Sequence, residues 1–422
     1  MRLLDEIQQF KGAFGSQAEE LIASLLERLA QTRLRTPKDL IQLHETTLFF
    51  RAFPQSTRIA TLADRLLLSF AERLRAVDLY TFDDPEVSGI AGTAVSTNFS
   101  YEFARSLVWR HGAAVSIDWE NYQRPDRLGA VLAPILPDAQ EVYTVEPYVD
   151  WRQWFQDSGH GLRWLIAHVD PRTYDLLEIP LRWDMGASAS RSGLRIERRK
   201  PFYHRGPFVK RSEVSLKAEL AAPTIRSRKL SATNARKILA QIVDASAARY
   251  RELWGFVHPE EDRVFHADLG RGVDLYYFGV AKEHRLPVRA YHCGMFFTNG
   301  VPTGYVEGLS QRGRMEIGFN LYYTFREGET AWVFARIVKL LHQEVGVISF
   351  SVDPYQLGHH NDEAIDSGAF WFYRKLGFAP STKEVAQLVA REEKGIAADP
   401  AYRSPRQVLR RLATAPLIYR VD

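Results

Sequence analysis

Residues 361–378, NDEAIDSGAFWFYRKLGF, carry an aromatic hydroxyl, Tyr373, on a segment with helical spacing that stops at a glycine. Glu363, Ala364, Gly368, Ala369, Phe372 and Leu376 recur along one side of it. Gly377 stands where a left-handed C-terminal cap is wanted, since glycine takes that conformation without a side-chain penalty. A phenol held inward can donate a proton, or can simply pack in a core. Upstream, the turn 325–331 opens a second helix over 331–343. A helix start leaves about four N–H groups unpaired and adds about half a positive charge, so it suits a phosphate.

Those two segments must be positioned by a sheet. Strand formers over 287–297, the two-residue turn Asn299-Gly300 and strand formers over 301–309 predict a hairpin. Residues 315–323 read as a third strand, and Phe334, Ile337, Val338 and Leu341 mark the apolar face of the helix over 331–343. A short buried strand over 347–352, the Tyr373 helix and a last strand over 416–421 complete the series. In that order, and in Ala369-x-x-x-Tyr373-x-Lys375-x-Gly377-Phe378, residues 256–422 resemble the acyl-CoA N-acyltransferase (GNAT) superfamily.

The resemblance implies an acyl-CoA-dependent N-acyltransferase-like protein. Acetyl-CoA or another acyl-CoA would be the co-substrate, and a small-molecule or peptide amine the acceptor. Tyr373 would protonate the leaving thiolate. Backbone N–H groups of Gly328, Glu329, Thr330 and Ala331 would hold the pyrophosphate, with Arg326 beside them. The strand that ends near Tyr322 would offer amide groups to the pantetheine arm. Glu316 and Asp353, on or beside the two strands that separate in this fold, are the candidate bases, with His359 and His360 near the same mouth. The loop departs from the family's spacing, because Arg326 is followed at the third place by Glu329 and Gly328 stands one position early. Glu327 and Glu329 would repel phosphate unless they point away.

The expected fold class is α+β: a helical N-terminal region (1–130), a mixed Trp-rich and basic middle region (131–255) and the acyltransferase-like mixed sheet flanked by helices (256–422). Ser16 with Glu19 reads as a capping box, Thr36-Pro37 as a second helix start and Ser56 as a third. His44-Glu45 lies inside the second helix. Leu48 stands where a zinc-binding His-Glu-x-x-His pattern needs its second histidine, so the pair reads as a surface or partly buried polar pair. Gly270-Arg-Gly272 is a turn, not a nucleotide loop.

Trp151, Trp154, Trp164 and Trp183 suggest a sub-core or a cleft lining. Arg191, Arg195, Arg198, Arg199, Lys200, Arg205, Lys210 and Arg211 alternate with Phe202, Tyr203, His204 and Phe208, a mixture that can follow a phosphate backbone and stack bases. Glu197 and Glu213 interrupt it, so a solvated strand and loop is the favoured reading and nucleic acid the lesser one. The 422 residues are 45% hydrophobic and 25% charged, with a net charge of only +4, which is ordinary for a globular protein. One cysteine, Cys293, excludes a disulfide framework and reads as a small buried hydrophobe. Asp5, Glu6 and Lys11 interrupt any signal-peptide core, and no run reaches the ~20 apolar residues of a membrane helix, so a cytoplasmic protein is expected. Two further function classes stay open: a non-catalytic acyltransferase-fold binding or regulatory module, and a nucleic-acid or tRNA-handling protein.

Overall fold

The computed structural model describes residues 2–146, 149–155, 160–198, 200–399 and 401–421. Its N-terminal helices, Leu3–Gln9, Ser16–Gln31, Pro37–Ala52 and Thr57–Leu68, pack around Leu26, Leu43, Phe50, Ile59 and Phe70, and Pro37–Ala52 also buries Leu48, Phe49 and Ala52 in a second core. Thr36 and Ser56 cap their helices by accepting the N–H groups of Asp39 and Ile59. Ser16 is not a cap but the first helical residue. Gly15, with φ 101°, holds the cap position, because glycine lets the chain turn into the helix one residue sooner.

A small antiparallel sheet follows, built from β1 (Ala94–Thr97), β2 (Val115–Ile117) and β3 (Leu181–Asp184) in the order β1-β3-β2. Trp151 and Trp183 are buried in its core, with Trp154 and Trp164 packed against them, so the tryptophans form a sub-core.

The large sheet has nine strands. These are β4 (Ser227–Lys229), β5 (Phe265–Gly270), β6 (Val273–Gly279), β7 (Ala290–Thr298), β8 (Val301–Gln311), β9 (Arg314–Leu321), β10 (Ser349–Val352), β11 (Ala379–Pro380) and β12 (Leu417–Arg420). Their spatial order is β11-β12-β10-β9-β8-β7-β6-β5-β4, antiparallel throughout except for the β9–β10 pair. Asn299 (φ 46°) and Gly300 (φ 81°) make the β7–β8 turn, and Thr298 faces Val301 across it. Alternation along the strands splits the side chains between two cores. Leu275, Phe296 and Ile317 meet Phe334, Ile337 and Val338 of the Thr330–Val345 helix, while Tyr276, Phe278, Cys293 and Met295 meet Ile238 and Ile242 of the Ala232–Ala247 helix.

The expected single helix over 361–377 is two short ones, Asp362–Asp366 and Ala369–Arg374. Gly368 between them is left-handed at φ 69° and ψ 32°, which ends the first helix before the second begins. Among the described residues no helix is long and apolar enough to cross a membrane.

Candidate functional site

The parallel pairing of β9 and β10 is brief. Arg314, Met315 and Glu316 face Ser349, Phe350 and Ser351, and the ladder stops there. β9 continues to Leu321 paired only with β8. β10 ends because Asp353 caps the Pro354–Leu357 helix, accepting the Tyr355 N–H at 2.8 Å, and Pro354 has no N–H to extend a ladder. The two strands therefore part.

A cleft of about 420 Å³ opens beside the unpaired half of β9. Phe319 and Asn320 line it from β9, Tyr373 from the Ala369–Arg374 helix, Thr330 from the start of the Thr330–Val345 helix and Arg326 from the loop before it. Tyr305 and Glu307 reach it from β8, and Glu86, Arg251 and Tyr322 form its wall toward the N-terminal half of the chain.

At the helix start, Glu329 is the cap, and the first intrahelical bond runs from the Val333 N–H to the Glu329 carbonyl at 3.0 Å. The N–H groups of Thr330, Ala331 and Trp332 precede that bond and have no intrahelical acceptor. Both loop carboxylates are turned away from the cleft. Glu327 lies 3.1 Å from the Lys11 ammonium, and Glu329 is buried between the Arg271 guanidinium at 2.6 Å and the Val209 N–H at 2.9 Å. Burial opposes the Glu329 charge, but His204, Arg271 and the Val209 N–H outweigh it and hold its carboxyl below the usual range. Gly328 has no room for a side chain, since a Cβ there would stand 2.5 Å from the Phe53 ring. Its N–H is already bonded to the Phe325 carbonyl at 3.0 Å. Of the proposed phosphate-loop residues, Arg326 and Thr330 line the cleft, whereas Gly328, Glu329 and Ala331 face packed protein. Arg326 pairs with Glu363 at 2.7 Å.

Tyr373 packs edge-on against Phe334, Phe372 and Phe378, with ring centroids 5.1–5.7 Å away. Among the described residues its hydroxyl has no hydrogen-bond partner, and burial raises its pKa, so it stays a proton donor. Glu316 and Asp353 do not line the cleft. Glu316 pairs with Arg289 at 3.2 Å, and Asp353 is committed to its cap. The rings of His359 and His360 lie against each other, 4.1 Å apart, outside it.

Glu307 was not singled out from the sequence. It lies opposite Cys293 on β7 and Gly318 on β9, accepts a hydrogen bond from the Tyr291 hydroxyl, and burial pushes its pKa up to about 7. Its signal was an acidic residue within an otherwise apolar strand, two positions from Tyr305 and so on the same face.

His44 and Glu45 are not a surface pair. His44 is fully buried, bonded to Glu45 at 2.8 Å and to Ser192 at 2.9 Å, and Glu45 also holds Arg191 at 2.6 Å. The buried alternative of the sequence reading holds, because that side of the helix is covered by Arg191 and Thr324 from distant segments. The first half of the basic stripe is likewise paired internally, while Lys200, Arg205, Lys210 and Arg211 are exposed. Arg195 pairs with Asp64, Arg198 with Asp268 and Asp274, and His204 is buried against Phe53 and Phe208. Arg199 lies outside the described residues. Compared with protein-family models, curated proteins and solved structures, the chain matches none.

Proposed function

We propose that the chain is an acyl-CoA-dependent N-acyltransferase that works in the cleft between β9 and β10. The observation that carries this reading is the end of the parallel ladder at Glu316 and Ser351, which leaves the second half of β9 with free backbone groups beside Tyr373. An extended amide-bearing arm can pair with such an edge. The free N–H of Thr330 and the Arg326 guanidinium, both at the cleft, suit the pyrophosphate, and the turn of Glu327 and Glu329 away from the cleft removes the repulsion expected there.

Bound acyl-CoA would supply a thioester carbonyl as electrophile. Glu307, with its pKa raised to about 7, takes the proton released by the attacking amine. Tyr373 donates its hydroxyl proton to the departing sulfur, for which its raised pKa and apolar ring contacts keep the phenol neutral. The Tyr291 hydroxyl orients the Glu307 carboxylate.

Calorimetric titration with acetyl-CoA, longer acyl-CoAs and free coenzyme A tests the reading. Saturable binding that Thr330→Pro weakens supports it. The absence of binding to every thioester would favour a fold used for another ligand.

A further inference from the structure

Behind the cleft wall that Tyr322 and Arg251 form opposite Tyr373, the protein gathers more positive charge than its neighbours balance. The Arg249 guanidinium lies over the Tyr322 ring, and the charges of Arg251 and Arg191 also act on the Tyr322 hydroxyl. Arg191 is paired with Glu45 at 2.6 Å, and Arg251 approaches Glu86 at 4.0 Å. Arg249 has no carboxylate partner among the described residues. It is 4% exposed, lies 4.0 Å over the Tyr322 ring, and its guanidinium donates to the Ala245 carbonyl at 3.4 Å. Glu45 stays ionised, because although burial opposes its charge, Arg191, His44 and Thr324 hold its pKa down to about 2. Two carboxylates thus face three guanidiniums, and the surplus cation is the buried one.

A buried guanidinium without an anion is costly, and such groups are normally paired. Beside it, the Tyr322 hydroxyl is buried and unpartnered, while Tyr322 itself lines the cleft. The backbone is locked to present these groups. After the Ala232–Ala247 helix, the Ser246 carbonyl accepts the N–H groups of both Arg249 and Arg251 at 3.0 Å. Tyr250 between them takes φ 53°, and its hydroxyl is tied to Asp83 and to the Ser96 N–H. A non-glycine residue held at positive φ is a local cost that persists only where its surroundings enforce it.

Tyr322 packs with the core on the Ala232–Ala247 side of the sheet, as does Tyr305, whose ring lies 6.2 Å away, and Glu307 shares that face of β8. Tyr373 and Thr330 reach the cleft from the opposite side, with the core around Phe334. The surplus charge is therefore on the side of the candidate base.

We propose that Arg251, backed by the buried Arg249 over the Tyr322 ring, forms a carboxylate-binding subsite in the cleft wall, and that the acyl acceptor is an amine that also bears a carboxylate, as a free amino acid does. The acceptor assignment rests on the acyltransferase reading; the subsite itself does not. A carboxylate at the cleft wall accepts from Arg251 and offsets the surplus charge of Arg249 behind it.

The test uses thermal unfolding of the full chain, titrated with acetate, with L-leucine against L-leucinamide, and with inorganic phosphate, all at constant ionic strength. Acetate and leucine should raise the midpoint and leucinamide should not. Arg249→Met should abolish the response while leaving the ligand-free midpoint equal or higher, because it removes an unbalanced charge. A lower ligand-free midpoint would make Arg249 a structural cation and overturn the proposal. Arg251→Gln, at the cleft surface, should raise the half-saturating acetate concentration by about ten-fold, the scale of one hydrogen bond to a charged group. No change in either variant, or a phosphate response stronger than the acetate response and lost in the same variants, would also overturn it. Acetyl-CoA titration of the same samples separates the two claims. An anion response without thioester binding removes the acyltransferase reading and keeps the subsite; thioester binding without an anion response does the reverse.

Discussion

Gly328 and the Phe53 ring are in direct apposition, and a single added carbon on the glycine would enter the ring edge at 2.5 Å. The N-terminal helices thus set the shape of the loop that opens the cleft. Phe53 belongs to a small core with Phe49, Val301 and Phe325, which joins the helical region to the start of β8.

Gly328→Ala should therefore destabilise the protein by about 1–3 kcal/mol, the usual scale of overpacking. Denaturant unfolding measures it. The double variant Phe53→Leu with Gly328→Ala should recover part of the loss, since the two sites share one contact. Equal loss in the single and double variants would mean that the ring is not the obstacle.

Thr330→Pro removes one N–H from the helix start while leaving the helix intact, because Thr330 is its first residue and proline suits that position. Acyl-CoA affinity should fall while the far-ultraviolet spectrum stays unchanged. Unaltered affinity would place the pyrophosphate elsewhere.

Tyr373→Phe deletes only the hydroxyl and keeps the ring contacts to Phe334, Phe372 and Phe378. With an identified amine, turnover should fall by at least about ten-fold, since general acid groups contribute about a hundred- to ten-thousand-fold. The Michaelis constant for acyl-CoA should stay level, as for an interaction made mainly in the transition state. Wild-type turnover in the variant would make Tyr373 a core residue.

Glu307 carries two linked predictions. As a base it must be ionised, so kcat/KM should climb with pH and level off above about 7, and Glu307→Gln should remove most of the rate. For stability the sign is opposite. Its folded pKa is raised from 4.5 to about 7, so the folded state holds the proton more tightly and stability falls as pH rises through that window. Glu307→Gln should flatten this fall, and unfolding curves from pH 4 to 8 would reveal it.

The Glu45 carboxylate behaves the other way, with its folded pKa lowered from 4.5 to about 2. Its contribution is present above pH 4.5 and is lost as pH falls toward 2. Glu45→Gln leaves the buried Arg191 without its charge partner and should cost about 3–5 kcal/mol at neutral pH. A loss below 1 kcal/mol would show that the backbone carbonyls of Glu86 and Ser88, which also accept from Arg191, suffice alone.

Periodicity and turn chemistry made the C-terminal sheet legible. The Asn299-Gly300 hairpin and the face of Phe334, Ile337, Val338 and Leu341 depend on near neighbours in the chain, and both appear in the fold as expected. The single helix over 361–377 was misread because nothing in its spacing reveals that Gly368 takes the left-handed conformation. Thr330, Arg326, Tyr322 and Tyr373, named in advance through the family resemblance, all line the cleft. Whether Glu327 and Glu329 face a ligand could not be read in advance, since Lys11 and Arg271, which turn them aside, are far away in sequence. The same holds for Glu307 and Arg249. A carboxylate's pKa and a guanidinium's lack of a partner depend on what burial brings around them, and only the tertiary structure decides that.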